Sequence, residues 1–301
     1  MERRRNFGEA DLHYLANLCH NCAECYDACQ YAPPHEFAVD LPKVLAGVRW
    51  HSYQKCAWPG VFGHTGKVIG TTLLAGLAAG FWFAGRSQPA DFYSVIPHGA
   101  MVTIFGGVAV VVWGALVAGL VRFWREGPLT LVAARNFSTA ARDVLSLRHA
   151  SSGARRWFHH LTFYGFLLCF ASTSVAAFYH YALGRRAPYA LLSLPVVLGI
   201  LGGIGLLIGP VGLFRLRRRD ATDLSFLVLL FATSFSGLFL LALRQSRAMG
   251  PLLVIHLAIV LALFVSLPYG KFVHGIYRAA ALLRNAMEQH GGRESQRAGQ
   301  R

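Results

Sequence analysis

After about residue 65 the chain alternates long apolar runs with short polar connections. Six runs, at about 66–85, 96–121, 158–183, 189–214, 224–243 and 251–277, are each near the roughly 20 residues that cross a hydrocarbon core. They predict six membrane-spanning helices. Residues 1–65 contain no such run: a cysteine-rich stretch, CHNCAECYDAC, leads into the proline-marked QYAPPHEFAVDLP. A polar tail follows from 279 and ends GGRESQRAGQR. Within 128–147, PLTLVAARNFSTAARDVLSL has the pattern of an amphipathic helix on a membrane surface.

Composition agrees with this division. Of 301 residues, 54% are hydrophobic and only 14% charged, too few charges for a soluble protein of this size. The net charge of +15 raises nucleic-acid binding, but its distribution argues against that. Arg122, Arg125, Arg135, Arg142, Arg148, Arg155 and Arg156 crowd one connection, and Arg215, Arg217, Arg218 and Arg219 another. The alternate connections hold only Arg86, Arg185 with Arg186, and Arg244 with Arg247. By the positive-inside rule both termini are expected in the cytoplasm, in a bacterial inner membrane. No aromatic-interleaved basic patch accompanies these arginines, so no nucleic-acid partner is expected. The polar opening MERRRNFGEAD does not read as a cleavable signal peptide, which places the amino-terminal thiols in a reducing compartment.

Cys19, Cys22, Cys25 and Cys29 carry the candidate chemistry. Their spacing, C-x2-C-x2-C-x3-C, is the bacterial-ferredoxin pattern for a [4Fe–4S] cluster, because two-residue gaps let one loop wrap three thiolates around a cluster face. Zinc would more naturally take two knuckles separated by a longer stretch. Disulfides fit least well, since thiols three apart on a tight loop pair poorly. Cys56 is either an inert thiol or a substitute cluster ligand. Residues 1–65 are therefore expected to form a small ferredoxin-like segment, 66–278 an all-α six-helix membrane domain, and 279–301 a cytoplasmic tail.

The six runs contain no Asp or Glu, which weakens a coupled-transporter reading. They do contain histidines. His256 and His274 are 18 residues apart, five turns, so both imidazoles are expected on one face of the sixth helix about 27 Å apart along its axis. His160 or His159 with His180 gives a similar spacing near six turns on the third run, with His160 favoured. In antiparallel helices these residues would make two bis-histidine haem sites, pairing His160 with His274 and His180 with His256. His98, with no partner at matching spacing, reads as an interface residue. The glycines of the fourth run (Gly202, Gly203, Gly205, Gly209) read as close helix packing, with clearance for a porphyrin as the alternative. Cys169 reads as a small apolar filler.

The runs YLANLCHNCAECYDACQYAPPHEFAVDLP, HHLTFYGFLLCFASTSVAAFYHY, SLPVVLGILGGIGLLIGP and AMGPLLVIHLAIVLALFVSLPYGKFVHGIYR together resemble TcuB, the tricarballylate-utilization protein B family, also called citrate-utilization protein B. The resemblance covers nearly the whole chain. It implies a membrane electron-transfer protein with iron–sulfur clusters and b-type haem, which reoxidises the FAD of a partner tricarballylate dehydrogenase and delivers electrons to the quinone pool. Members carry a further cysteine run upstream of an arginine-rich stretch like ERRRNF, where this chain has Met1. In two-cluster ferredoxins the last cysteine of each run serves the other cluster. By that logic Cys19, Cys22 and Cys25 would have lost their fourth ligand, and Cys29 would belong to an absent cluster. The favoured expectation is a misassigned start and a longer protein. The others are one cluster completed by Cys29 or Cys56, and a chain with haem only. The rival functions are a tricarballylate or citrate transporter and a zinc-bound membrane anchor.

Overall fold

The computed structural model describes residues 7–19, 22–60, 64–84, 92–127, 134–146, 153–216 and 224–298. Every regular element among these residues is a helix, with no strand among them. The chain divides into two compact units, each discontinuous in sequence: 1–63, 114–152 and 272–301 form one, and 64–113 and 153–271 the other.

The first unit gathers α1 (Glu9–Leu18), α2 (Glu24–Asp27), α3 (Leu41–Cys56), the end of α6 (His98–Arg125), α7 (Ala134–Ser146) and α12 (Val273–Ala298). Asp40 starts α3 by accepting the Lys43 N–H at 3.0 Å, with Pro42 in the first turn, where its missing N–H costs nothing. α1 packs on α3 and α12, and α7 packs on α12. Three aromatic rings form the heart of the unit: Tyr277 lies 5.1 Å from Phe123 and 5.5 Å from Tyr53. At Gly119 an added Cβ would collide with the Tyr277 hydroxyl, so the bare backbone is what admits that ring. Arg284 covers the Tyr14 ring at 4.4 Å and reaches Glu288 at 3.3 Å. Of the amphipathic stretch expected over 128–147, residues 134–146 form α7 and the rest lies outside the described residues.

The second unit holds α4 (Thr65–Ala84), α5 (Phe92–Val95), the first part of α6, α8 (Ala154–Leu183), α9 (Leu194–Arg215), α10 (Leu224–Ala242) and α11 (Met249–Ser266). Its helices pack in series, α8 on α9, α9 on α10, α10 on α11 and α11 on α4. Among the described residues, six helical stretches are long and apolar enough to cross a membrane. The α8–α9 seam is the tightest: a Cβ on Gly165 would lie 2.9 Å from the Gly202 carbonyl oxygen, and one on Gly205 2.9 Å from that of Leu161. Without a hydrophobic force between helices in lipid, such close approach is what holds them. This is the packing role expected for the fourth-run glycines, and the backbone of Cys169 lies equally close to Gly202, as a small filler should.

Two expected boundaries need correction. The fourth helix begins at Leu194 rather than 189, after Ser193 and with Pro195 in its first turn. Tyr189 instead turns back, its hydroxyl donating to the Ala176 carbonyl at 3.0 Å. The sixth run is not one α-helix from 251 to 277. α11 ends at Ser266, a 3-10 turn spans Leu267–Tyr269, and α12 begins at Val273. Pro268 has no N–H to give and its ring opposes the preceding turn. Where the turn ends, the Tyr269 carbonyl accepts from the Thr65 hydroxyl at 2.6 Å.

Candidate cofactor sites

The four cysteines hang between α1 and α3. Cys19 caps the C-terminus of α1, its N–H donating to the Leu15 carbonyl at 3.1 Å. Cys22 precedes Ala23, whose φ of +65° is left-handed, a conformation that costs a non-glycine residue roughly 1–2 kcal/mol. That turn starts α2, which carries Cys25, and Cys29 follows one turn later. Cys25 is exposed, Cys19, Cys22 and Cys29 are half-buried, and no disulfide joins any of the six cysteines. Arg278 of α12 lies within electrostatic reach of the Cys19 thiol. Four accessible thiols on one irregular loop, with a cation beside them, suit an anionic thiolate-bound cluster.

Cys56 is different in kind. It is 1% exposed at the end of α3, and burial, reinforced by the Glu126 charge, pushes its thiol up to about 12. Its surroundings are those of a packing thiol.

The histidines fall into separate settings. His160, on α8, lines a groove of about 720 Å³ with Arg156, Trp157, Tyr164, Gly165 and Gly205. The Tyr164 ring lies parallel to that of His160, 5.8 Å away. His159 is its neighbour in the same turn. His180, near the end of α8, stacks on His98 at 4.1 Å between ring centroids and 22° between planes, with Tyr93 6.0 Å away. Its Nδ1 is buried without a hydrogen-bond partner. His256, on α11, has Nδ1 2.9 Å from the Ser236 hydroxyl, and its ring fills the space left by Gly237. His274 is the second residue of α12 and belongs to the first unit. The five-turn register assumed for His256 and His274 therefore fails, because the helix that should carry both is interrupted at Pro268. The stacked partner of His180 is His98, which the sequence reading had set aside.

Two family models cover the chain. Citrate utilization protein B matches residues 62–297, and the citrate utilization protein B Fer4-like domain matches residues 1–55. The chain belongs to the citrate utilization protein B family. Citrate utilization protein B of Escherichia coli is 43% identical over 335 aligned positions, covering 99% of this chain and 88% of that protein. The alignment is longer than the 301-residue chain, so the relative has insertions that this family member lacks. No solved structure matches.

Within this family member the Fer4-like match falls on the cysteine segment, so the iron–sulfur character of residues 1–55 rests on motif and domain together. Three residues beside the sites had no signal in the sequence reading. Ser236 and Arg278 reach their histidine and cysteine only through helix packing. His98 has no helical-repeat partner, and its contact with His180 comes from the fold. Proximity of the SLPYG run to His274 was the one local warning that helix spacing could not be trusted there.

Proposed function

We propose that the chain is a membrane electron-transfer protein of citrate or tricarballylate utilization. It takes electrons from a reduced cytoplasmic FAD-dependent dehydrogenase, most simply one acting on tricarballylate, and delivers them to quinone. The observation that carries this reading is the joining, in one chain, of a Fer4-like cysteine segment to six apolar runs that lack Asp and Glu and contain half-buried histidines. When bound, a [4Fe–4S] cluster and b-type haem supply the one-electron steps that link a flavin to a quinone.

The chain's own residues would prepare those sites. Cys19, Cys22, Cys25 and Cys29 would hold the cluster, with the Arg278 charge favouring its reduced form. His160, His180, His256 and His274 are the axial candidates. An Nδ1–H of His256 donated to Ser236 would leave Nε2 for iron, the arrangement by which an outer-shell partner fixes a histidine ligand. Arg156, in the groove with His160, offers a cation to a propionate or to a quinone oxygen. The closeness of His98 to His180 offers a second ligand assignment, in which His98 replaces His256 as the partner of His180 and the stacked rings part to admit the porphyrin.

The test is a dithionite-reduced minus oxidised spectrum of the purified membrane protein and its variants. Sharp b-type bands that lose about half their amplitude in His256→Ala and not in His98→Ala support the first assignment, and the reverse supports the second. A folded, haem-replete preparation without such bands overturns the haem reading. Citrate uptake by vesicles without electron transfer would establish the transporter instead.

A further inference from the structure

The first unit contains a second set of metal-ligating side chains, separate from the cysteines. Glu9 and His13 lie one turn apart on α1, and His51 faces them from α3. One ligand atom from each lies within 4.8 Å of the other two. Glu9 Oε1 is 3.7 Å from His13 Nε2 and 3.9 Å from His51 Nε2. Zinc–ligand bonds of about 2.0–2.2 Å at tetrahedral angles hold ligand atoms roughly 3.3–3.5 Å apart. The two carboxylate–imidazole separations therefore need to close by only a few tenths of an ångström, and the ligand nitrogens of the two imidazoles already lie within 4.8 Å of each other.

The back of the set is already arranged for a ligand. His13 is 1% exposed, and its Nδ1 faces Glu126 Oε2 at 2.8 Å. A proton on Nδ1, donated to that carboxylate, leaves the Nε2 lone pair on the side of Glu9 and His51. This is the carboxylate–histidine–metal relation that fixes ring orientation and raises ligand basicity. At the front, Glu9 and His51 are exposed, which gives an ion an entry path and a fourth position for water.

We propose that Glu9, His13 and His51 bind one divalent cation of the zinc class through a carboxylate oxygen and two Nε2 atoms, with Glu126 as the outer-shell support. Because α1 runs directly into Cys19, the ion braces the helix from which the cysteine segment hangs. The competing arrangement is purely ionic: Lys55 Nζ lies 2.9 Å from Glu9 and 3.2 Å from Glu126. The two make opposite forecasts for Lys55. Removing it loosens an ion-pair network, but it frees both carboxylates and removes a competing positive charge from a cation site.

The experiment uses the purified full-length protein with its cofactors in place, titrated with Zn²⁺ in a calorimeter and examined by zinc-edge X-ray absorption. One Zn²⁺ per chain with a nitrogen and oxygen shell is expected. His51→Ala and Glu9→Gln should each weaken binding at least about tenfold, Cys25→Ser should leave it unchanged, and Lys55→Gln should tighten it. His51 is exposed, so His51→Ala should melt as the parent does in chelator. No saturable binding at micromolar Zn²⁺, a sulfur shell lost in Cys25→Ser, or weaker binding in Lys55→Gln would each overturn the proposal.

Discussion

The α8–α9 seam and the α1–α3 joint hold helices together by opposite means. Along the seam backbone meets backbone: Gly165, Gly202, Gly205 and Gly209 leave no space for a side chain between the two helices. At the joint side chains meet: Glu9, His13, His51 and Lys55 form a charged group, and Asn17 reaches Ser52 at 3.4 Å. The difference follows from surroundings. A helix in hydrocarbon gains nothing by hiding apolar surface from lipid, so contact area and close approach must do the work. Exposed charges at the joint stay solvated, so each pair there contributes little. The seam should tolerate no added atoms, while the joint should tolerate the loss of a charge.

Gly209→Leu should have the largest effect. A Cβ there would collide with the Thr162 hydroxyl and lie 2.7 Å from the Thr162 nitrogen and 2.9 Å from the Phe158 carbonyl oxygen. Backbone atoms cannot rotate aside, so overpacking of about 3 kcal/mol is expected. The variant should lose the monodisperse peak in detergent size-exclusion chromatography. Gly99→Ala, where an added Cβ meets nothing within 4 Å, is the control and should behave as the parent.

The same contrast explains what the sequence made legible. Cluster spacing is a local property, so CHNCAECYDAC could be read directly. Five apolar runs gave helices close to their expected positions, because length and hydropathy suffice once the solvent is lipid. What escaped were properties created by assembly. Nothing local in 114–152 or 272–301 shows that these stretches share a compact unit with the cysteine segment. The sixth helix forms but ends at Ser266, short of its expected end: Pro268 and Gly270 were visible, but the strength of the apolar run masked them. The histidine spacing built on its full expected length failed, and the stacking of His98 on His180 needed a tertiary contact that no period encodes.

Buried polar contacts within each unit give intermediate effects. Asn17 is 2% exposed and donates to the His13 carbonyl at 2.9 Å. Asn17→Ala should cost about 1.5 kcal/mol, seen as a lower melting temperature of the amino-terminal unit by hydrogen exchange. Ser234 donates to the Gly203 carbonyl at 2.9 Å. Ser234→Ala should cost only about 0.6 kcal/mol, the usual worth of such a bond between membrane helices. A Ser234→Ala loss exceeding that of Asn17→Ala would break the comparison, because it would make packing between the apolar helices depend on hydrogen bonds rather than on shape.

The smallest effect should come from Lys55→Gln, measured in chelator so that metal plays no part. Its ammonium pairs with Glu9 and Glu126, yet both Lys55 and Glu9 are open to solvent, so the melting temperature near neutral pH should barely move. The sign of what remains can be worked out from titration. Lys55 holds the Glu9 carboxyl below its ordinary value of 4.5, first by hydrogen bonding and then by charge. A carboxylate with a lowered folded-state pKa contributes stability that is present above the ordinary carboxylate range and is lost as pH falls through the folded value. Parent and variant should therefore differ slightly at pH 6 and converge as pH falls below 4.5. A gap that widens on acidification would mean that Lys55 acts at the joint through something other than its carboxylate partners.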